Sequence, residues 1–179
     1  MKNILKIASI TFISFLLISF DAFSQNSRTK GSNNNEVNFP QKAYSGGIME
    51  VKLGKVAQQK ASSYKVKEFG ERMINDHSKA NEQLKDIAQN NNISLSDSML
   101  NDNKDTYNEL SQYGGSEFDK HYISKMIAGH RATIKLYEAA SQNTRNPEIQ
   151  RWAKNKIPIL KQGLRLAEST FNDLNQTKK

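Results

Sequence analysis

From Pro40 onward, apolar residues recur at intervals of three and four positions, which is the spacing of one face of an α-helix. The clearest stretch follows Ser63 and carries Val66, Phe69, Met73, Ala80, Leu84 and Ile87. No stretch shows the two-residue alternation of a half-buried strand. The chain is therefore predicted to be all-α.

Breaking and capping residues divide this pattern into four long helices and a short one. The long helices are predicted at about 41 to 61, 63 to 90, 116 to 141 and from 146 onward, and the polar stretch 91 to 113 predicts a short helix laid over the others. Because the turns within each pair are short, neighbouring long helices should be antiparallel. The predicted fold is a four-helix bundle with an additional short helix between its two hairpins.

Two helix starts carry capping signals. Asn146, Pro147 and Glu148 follow the order of cap, proline and acid that opens many helices. Ser116 and Asp119 have the spacing of a capping box, which assigns Asp119 to the start of the third long helix. Pro158 falls inside the last helix and predicts a kink there.

The predicted core is drawn from all four long helices. In the first helix, Ile48 and Val51 face inward beside a stripe of small residues, namely Ala43, Gly47, Gly54, Ala57 and Ala61. In the third, the inward set is Phe118, Tyr122, Ile123, Met126, Ile134 and Tyr137. In the last, it is Ile149, Ala153, Ile157, Leu160, Leu164, Ala167 and Phe171.

The N-terminus has the composition of a secretory signal. Lys2 and Lys6 precede an apolar run from residue 7 to residue 20, and small residues then lead to a predicted cut near Ser24. The run is shorter than the roughly 20 residues that span a bilayer, so we expect no transmembrane anchor after cleavage. The predicted organisation is a signal peptide over 1–24, a disordered linker over 25–38, the bundle over 39–174 and a disordered tail over 175–179. The protein should be periplasmic or secreted.

Composition narrows the classes of site and partner. The chain has no cysteine, so disulfides and thiolate metal sites are excluded. Its formal charge of +8 could attract an anionic envelope component. The basic residues are spread over several helices without aromatic interleaving, so no nucleic-acid partner is expected. Nothing in the sequence determines the oligomeric state.

Four polar residues fall on the apolar faces of predicted helices, where polar residues are unusual. They are Glu50 in the first helix, His77 in the second, and Asp119 and His130 in the third. Glu50 precedes Ser62 by 12 residues and His77 follows it by 15, so at about 1.5 Å per residue they lie at similar heights. His130 is near the middle of its own helix, so Glu50, His77 and His130 can meet at mid-bundle. His121 projects to the outer face.

This cluster has two interpretations. Imidazole and carboxylate are ligands for Zn, Fe or Cu, and Met73 and Met126, one turn before the two histidines, could add thioether ligands for Cu(I). Alternatively, the cluster is a buried hydrogen-bonded pair that sets the register of the helices. Asp119 cannot join it, because 11 residues correspond to about 16 Å of helix.

Catalytic motifs are missing from the sequence. A di-iron carboxylate bundle needs a Glu three residues before each histidine, and here those positions are Ile74 and Ile127. No nucleophile elbow, His-Glu-x-x-His or phosphate-binding glycine loop occurs. The sequence favours a non-catalytic binding or structural role, with metal binding as the alternative and no other cofactor.

In combination, several segments resemble a known family. They are 47–51 with Leu53-Gly54, 72–78 with Asn81 and Leu84, 118–122 with Met126 and Gly129-His130, and Ile157-Pro158 with Leu160 and Ala167. From about Ala43 to Ala167, the chain resembles bacterial domain-of-unknown-function family 4142, a secreted family placed among ferritin-like bundles. The resemblance implies a ferritin-like fold and a location in the periplasm or outer envelope, and it implies no activity.

One position departs from the pattern of that family. Its last helix often carries a histidine five residues after the proline, and Gly163 occupies that position here. If the histidine completes a metal site in relatives, this chain has one ligand fewer.

Overall fold

The computed structural model describes residues 34 to 176, with side chains from Phe39 onward. It contains the helices α1 (Asn34–Lys60), α2 (Tyr64–Asn90), α3 (Asn101–Ser111), α4 (Gly115–Asn143) and α5 (Pro147–Gln176). No strand occurs within this described part of the chain, so the all-α prediction is confirmed. None of the helices between Asn34 and Gln176 is both long enough and apolar enough to cross a membrane.

The four long helices form two hairpins joined by a crossover. α1 packs along α2 and α4 along α5, while α2 also contacts α5 and α1 contacts α4. Ala61, after α1, lies beside Gly115 at the start of α4, so residues 91–114 carry the chain back along the bundle. This is the predicted ferritin-like arrangement, with α3 lying against α1 and α4 as the additional short helix.

Side chains of α1 attach the crossover to the bundle. Gln41 donates one hydrogen bond to the carbonyl of Ser96 and accepts one from its amide. The Tyr44 hydroxyl donates to Asp97 at 2.8 Å, and the Ser45 hydroxyl oxygen accepts the amide of Leu100 at 2.7 Å. These contacts hold the segment before α3 against α1.

The first helix begins earlier than predicted, at Asn34 rather than about 41, so it includes the last five residues of the predicted linker. It continues through Pro40. Phe39 is buried and makes edge contacts with Tyr137 of α4 and Trp152 of α5. This packing stabilises the helix before the proline. The predicted signal peptide and most of the predicted linker lie outside the described residues.

The predicted core is mostly buried, although Ala80 and Ile87 of α2 and Ile157 and Leu164 of α5 are half-buried. Two further differences concern α1 and the end of α5. Ile48 and Val51 are only half-buried, whereas Leu53 and Val56 of the same helix are buried. Phe171 was predicted to face inward and is 37% exposed. The first difference arises because the close approach of α1 to α2 rotates the small-residue stripe toward α2. The second arises because Thr170 takes the inward position near the end of α5.

One capping prediction is confirmed and one is wrong. The Asn146 side chain accepts the amides of Glu148 and Ile149, as the cap of α5. Asp119 forms no capping box, since α4 begins one residue before Ser116 with Gly114 as its cap. Its carboxylate instead binds the turn between α1 and α2.

Asp119 is 1% exposed and ties α4 to that turn. It accepts the Ser62 amide at 3.2 Å, the Ser62 hydroxyl at 2.6 Å and the Ser63 amide at 2.9 Å. Ser63 is the cap residue of α2, but its own side chain makes no capping hydrogen bond. A side chain from α4 therefore satisfies backbone donors at the start of α2, which local sequence spacing cannot reveal.

The apolar core is divided into two clusters along the bundle. One contains Leu53, Phe69, Met73, Phe118, Tyr122 and Met126 among its members. The other contains Phe39, Tyr44, Leu84, Ile134, Tyr137 and Trp152. Between the two clusters, α1, α2 and α4 each carry a polar residue, namely Glu50, His77 and His130. The middle of the bundle is therefore the place where the core is interrupted.

Candidate metal centre

Three helices each place one potential ligand in this interruption. Glu50 on α1 is 5% exposed and His130 on α4 is 1% exposed, while the side chain of His77 on α2 is 12% exposed. One ligand atom from each residue lies within 4.8 Å of the other two. The predicted convergence of Glu50, His77 and His130 is present in the structure.

The Glu50 carboxylate lies between the two imidazoles. Its Oε2 is 2.8 Å from Nε2 of His77, a hydrogen-bonding distance, and its Oε1 is 3.7 Å from Nδ1 of His130. The two rings are nearly perpendicular, with centroids 6.1 Å apart. The carboxylate can therefore interact with both histidines at once.

Glycines bring α1 and α2 close enough for Glu50 to reach His77. A Cβ on Gly54 would lie 2.5 Å from the carbonyl oxygen of Gly70, and a Cβ on Gly70 would lie 2.7 Å from the Cβ atom of Ala57. Both separations are too short for real atoms, so the two backbones touch where larger residues would separate them. The small-residue stripe of the first helix thus packs within the chain, one turn from Glu50.

His130 is held by its own helix and by α5. Its Nδ1 lies 3.0 Å from the carbonyl oxygen of Met126, a contact that orients the ring. On the opposite side, a Cβ on Gly163 would lie 2.6 Å from Nε2 of His130. The imidazole therefore packs directly on the backbone of α5, and a side chain at position 163 would enter the cluster.

Burial and mutual attraction act in opposite directions on the cluster. Burial alone would raise the pKa of Glu50, but the charge and hydrogen bond of His77 outweigh it and lower the pKa. Burial alone would lower the pKa of His77, but the Glu50 carboxylate outweighs it and raises the pKa. In the metal-free protein, these groups form an ion pair over the intermediate pH range. Burial, followed by the negative charge of Glu50, also raises the pKa values of Tyr122 and Tyr137.

The structure also places the other candidate residues. Met73 and Met126 are both 1% exposed, and the Met73 methyl comes within 3.7 Å of the Cβ position at Gly163. His121 is 44% exposed and stacks on Tyr113, so it does not belong to the cluster. Sequence reasoning did not single out Met49, which packs half-buried against the core. Its position next to Glu50 was the available signal.

The donor set suits a transition metal better than it suits Mg²⁺ or Ca²⁺, which prefer oxygen ligands. Two atoms bound to one ion at about 2 Å each can be no more than about 4 Å apart. The separations of up to 4.8 Å would therefore have to contract by about 1 Å.

No curated protein and no solved structure matches this chain. A family model matches residues 22 to 170, which is most of the sequence. That family is described as a domain of unknown function, so its description assigns no activity to Glu50, His77 or His130. The match includes all five helices apart from the last residues of α5. The chain belongs to the domain-of-unknown-function family DUF4142.

Proposed function

We propose that this protein is an exported, non-catalytic metal-binding protein that holds one transition-metal ion between Glu50, His77 and His130. The convergence of three ligand side chains from three helices, with ligand atoms within 4.8 Å of one another, carries this proposal. Among the described residues, no other group of three histidine or carboxylate side chains comes as close. Copper, zinc and iron all accept this donor set.

Two features favour a built metal centre. The cluster interrupts the apolar core at mid-bundle, and isolated buried charges are costly unless they are paired or bind a metal. The ring of His130 is also held in one orientation by contact of its Nδ1 with the carbonyl of Met126. Such contacts are common at metal-binding histidines, and here the contact would leave Nε2 as the nitrogen that binds the ion. A bound cation would replace the protons that now connect the side chains.

A non-catalytic role follows from the composition of the cluster. It contains a single carboxylate, Glu50, whereas di-iron enzymes of ferritin-like bundles use four glutamates and two histidines. Ile74 and Ile127 occupy the positions where the additional glutamates would stand. We therefore propose storage, transfer or structural use of the ion rather than oxidation chemistry.

Metal analysis of the purified protein tests this proposal. We expect about one ion per chain after exposure to Cu, Zn or Fe and removal of excess metal, with loss of most of it in His77→Ala. His121→Ala is the matched control, because it removes an exposed histidine from outside the cluster. A wild-type protein without stoichiometric metal under all three conditions would refute the proposal.

The 2.8 Å contact between Glu50 and His77 favours a second candidate role, in which the pair sets the register of α1 against α2. In that case, His77→Ala would lower the unfolding temperature of the protein, and no metal would raise that of the wild type. A metal centre predicts instead that Zn or Cu raises the unfolding temperature of the wild type and does not change that of His77→Ala. Thermal unfolding with and without metal separates the two roles.

We also propose that the first 24 residues direct export and that the basic surface can contact anionic envelope components. The first proposal rests on the signal-like composition before Ser24. Mass spectrometry of the protein recovered from the periplasm or medium should give a chain beginning at Gln25. Recovery of only the uncleaved chain from the cytoplasm would contradict export.

Binding to anionic vesicles that persists unchanged at high salt, or is absent, would contradict the second proposal.

A further inference from the structure

A cavity of about 550 Å³ lies between α1, α3 and α4 and extends from the surface to Glu50. Its walls include Met49 and Met126. Gly46 and Gly129 also line it, and a Cβ on either glycine would meet no atom within 4 Å. The cavity therefore gives a small solute access to one side of the cluster.

Methionines are concentrated around this end of the cavity. The chain has five methionines, and three of them lie within about one helical turn of a proposed ligand. Met49 adjoins Glu50, while Met73 and Met126 each precede a histidine by four residues. All three pack in the same apolar cluster.

The methionines beside the proposed ligands indicate which metal ion the centre would bind. A thioether is uncharged and soft, so it contributes to binding Cu(I) but adds little for Zn(II). Methionine also fills cores without any binding role, so burial of Met73 has an ordinary explanation. Met49 and Met126 are different, because they line the same cavity as the Glu50 ligand.

We propose that the metal of this centre is Cu(I), that it enters through the cavity between α1, α3 and α4, and that Met49 and Met126 supply soft ligands beside the histidines. This inference rests on the proposed function and narrows it to one ion. The cation keeps its oxidation state throughout, so binding needs no oxidant or reductant and displaces only the proton that His77 shares with Glu50.

The test compares a soft ion with a harder one in the same protein. Ag(I) is a redox-inert substitute for Cu(I), and Zn(II) is the comparison ion. Both are titrated into the purified wild type, the Met49→Leu/Met126→Leu variant and the Met99→Leu control by equilibrium dialysis. Leucine has a similar volume to methionine, so the substitutions remove sulfur with little change in packing. Met99 lies in the crossover outside the helices.

We expect the double variant to bind Ag(I) about tenfold or more weakly, comparable to the loss of a group that supports a metal centre. Its Zn(II) affinity and its unfolding temperature should stay within error of the wild type, and Met99→Leu should resemble the wild type with both ions. Equal Ag(I) binding by the wild type and the double variant would overturn the Cu(I) inference while leaving the metal centre intact. Failure of the wild type to bind either ion would refute the proposed function itself.

A bulky side chain placed in the cavity provides a second test, in which the rate of Ag(I) uptake is measured. Gly129→Leu should slow the uptake of Ag(I), since its side chain extends into the cavity that Gly129 lines. Ala139→Leu is the control, because Ala139 is an exposed residue of the same helix that does not line the cavity. Unchanged uptake rates in Gly129→Leu would overturn the proposed route.

Discussion

Replacing Glu50 with alanine in the metal-free protein should cost more stability in mild acid than in alkali. The His77 pKa is raised, so its contribution is complete below its ordinary value of 6.5 and disappears as the pH rises through the raised value. The Glu50 pKa is lowered, so its contribution is complete above its ordinary value of 4.5 and disappears as the pH falls through the lowered value. Both contributions are therefore complete between pH 4.5 and 6.5.

The size of this pH effect follows from the interaction that the protonated and the neutral form of His77 each lose when Glu50 is removed. At about pH 5.5, removal of the carboxylate leaves a mostly buried imidazolium without its partner. Breaking a buried pair in this way costs about 3–5 kcal/mol, and we expect about 3 kcal/mol because His77 can release its proton. Well above the raised pKa of His77, the ring is neutral, and the loss is one hydrogen bond to a carboxylate, about 1.5 kcal/mol. The vacated volume adds a similar cost at both pH values.

Thermal unfolding followed by circular dichroism, in a metal chelator, measures this difference. The pH-dependent part of about 1.5 kcal/mol corresponds to about 3–6 °C in unfolding temperature. Glu117→Gln is the control, because Glu117 faces His121 on the surface at 3.9 Å and should change stability by less than about 1 kcal/mol at either pH. Equal losses for Glu50→Ala at both pH values, or a larger loss in alkali, would refute the assigned ion pair.

Three further substitutions test how the cluster is held. Asp119→Ala should lower the free energy of unfolding by about 2–4 kcal/mol, since it removes a cap and leaves donors unpaired, with Asp119→Asn intermediate in urea titrations. Gly54→Ala should destabilise the protein by about 1–3 kcal/mol through overpacking. The control is Gly46→Ala, whose new Cβ meets nothing within 4 Å and should leave stability unchanged or raise it. Equal effects of the two substitutions would contradict the close approach of α1 and α2. Gly163→Ala should displace His130 and weaken metal affinity by about 10–100-fold, and unchanged affinity in dialysis would refute that contact.

The local sequence predicts most of the helices. The spacing of apolar residues identifies α2, α4 and α5 because each buries one face, and Asn146 caps α5 through atoms only two and three residues away. The heights of Glu50 and His77 could be compared because helical rise is constant and the turn between their helices is short. The convergence with His130 was therefore predictable without knowing any contact.

Tertiary structure decided the features that depend on residues distant in sequence. Phe39 extends α1 before Pro40 by packing on α4 and α5, and Asp119 binds a turn more than fifty residues away instead of capping its own helix. The close approach of Gly54 to Gly70 orients α1, and it places Glu50 against His77. Periodicity specifies which residues share a face, but the rotation and separation of packed helices depend on side-chain volumes from both partners. Sequence thus determined the helices and the height of the cluster, while packing between helices determined its contacts.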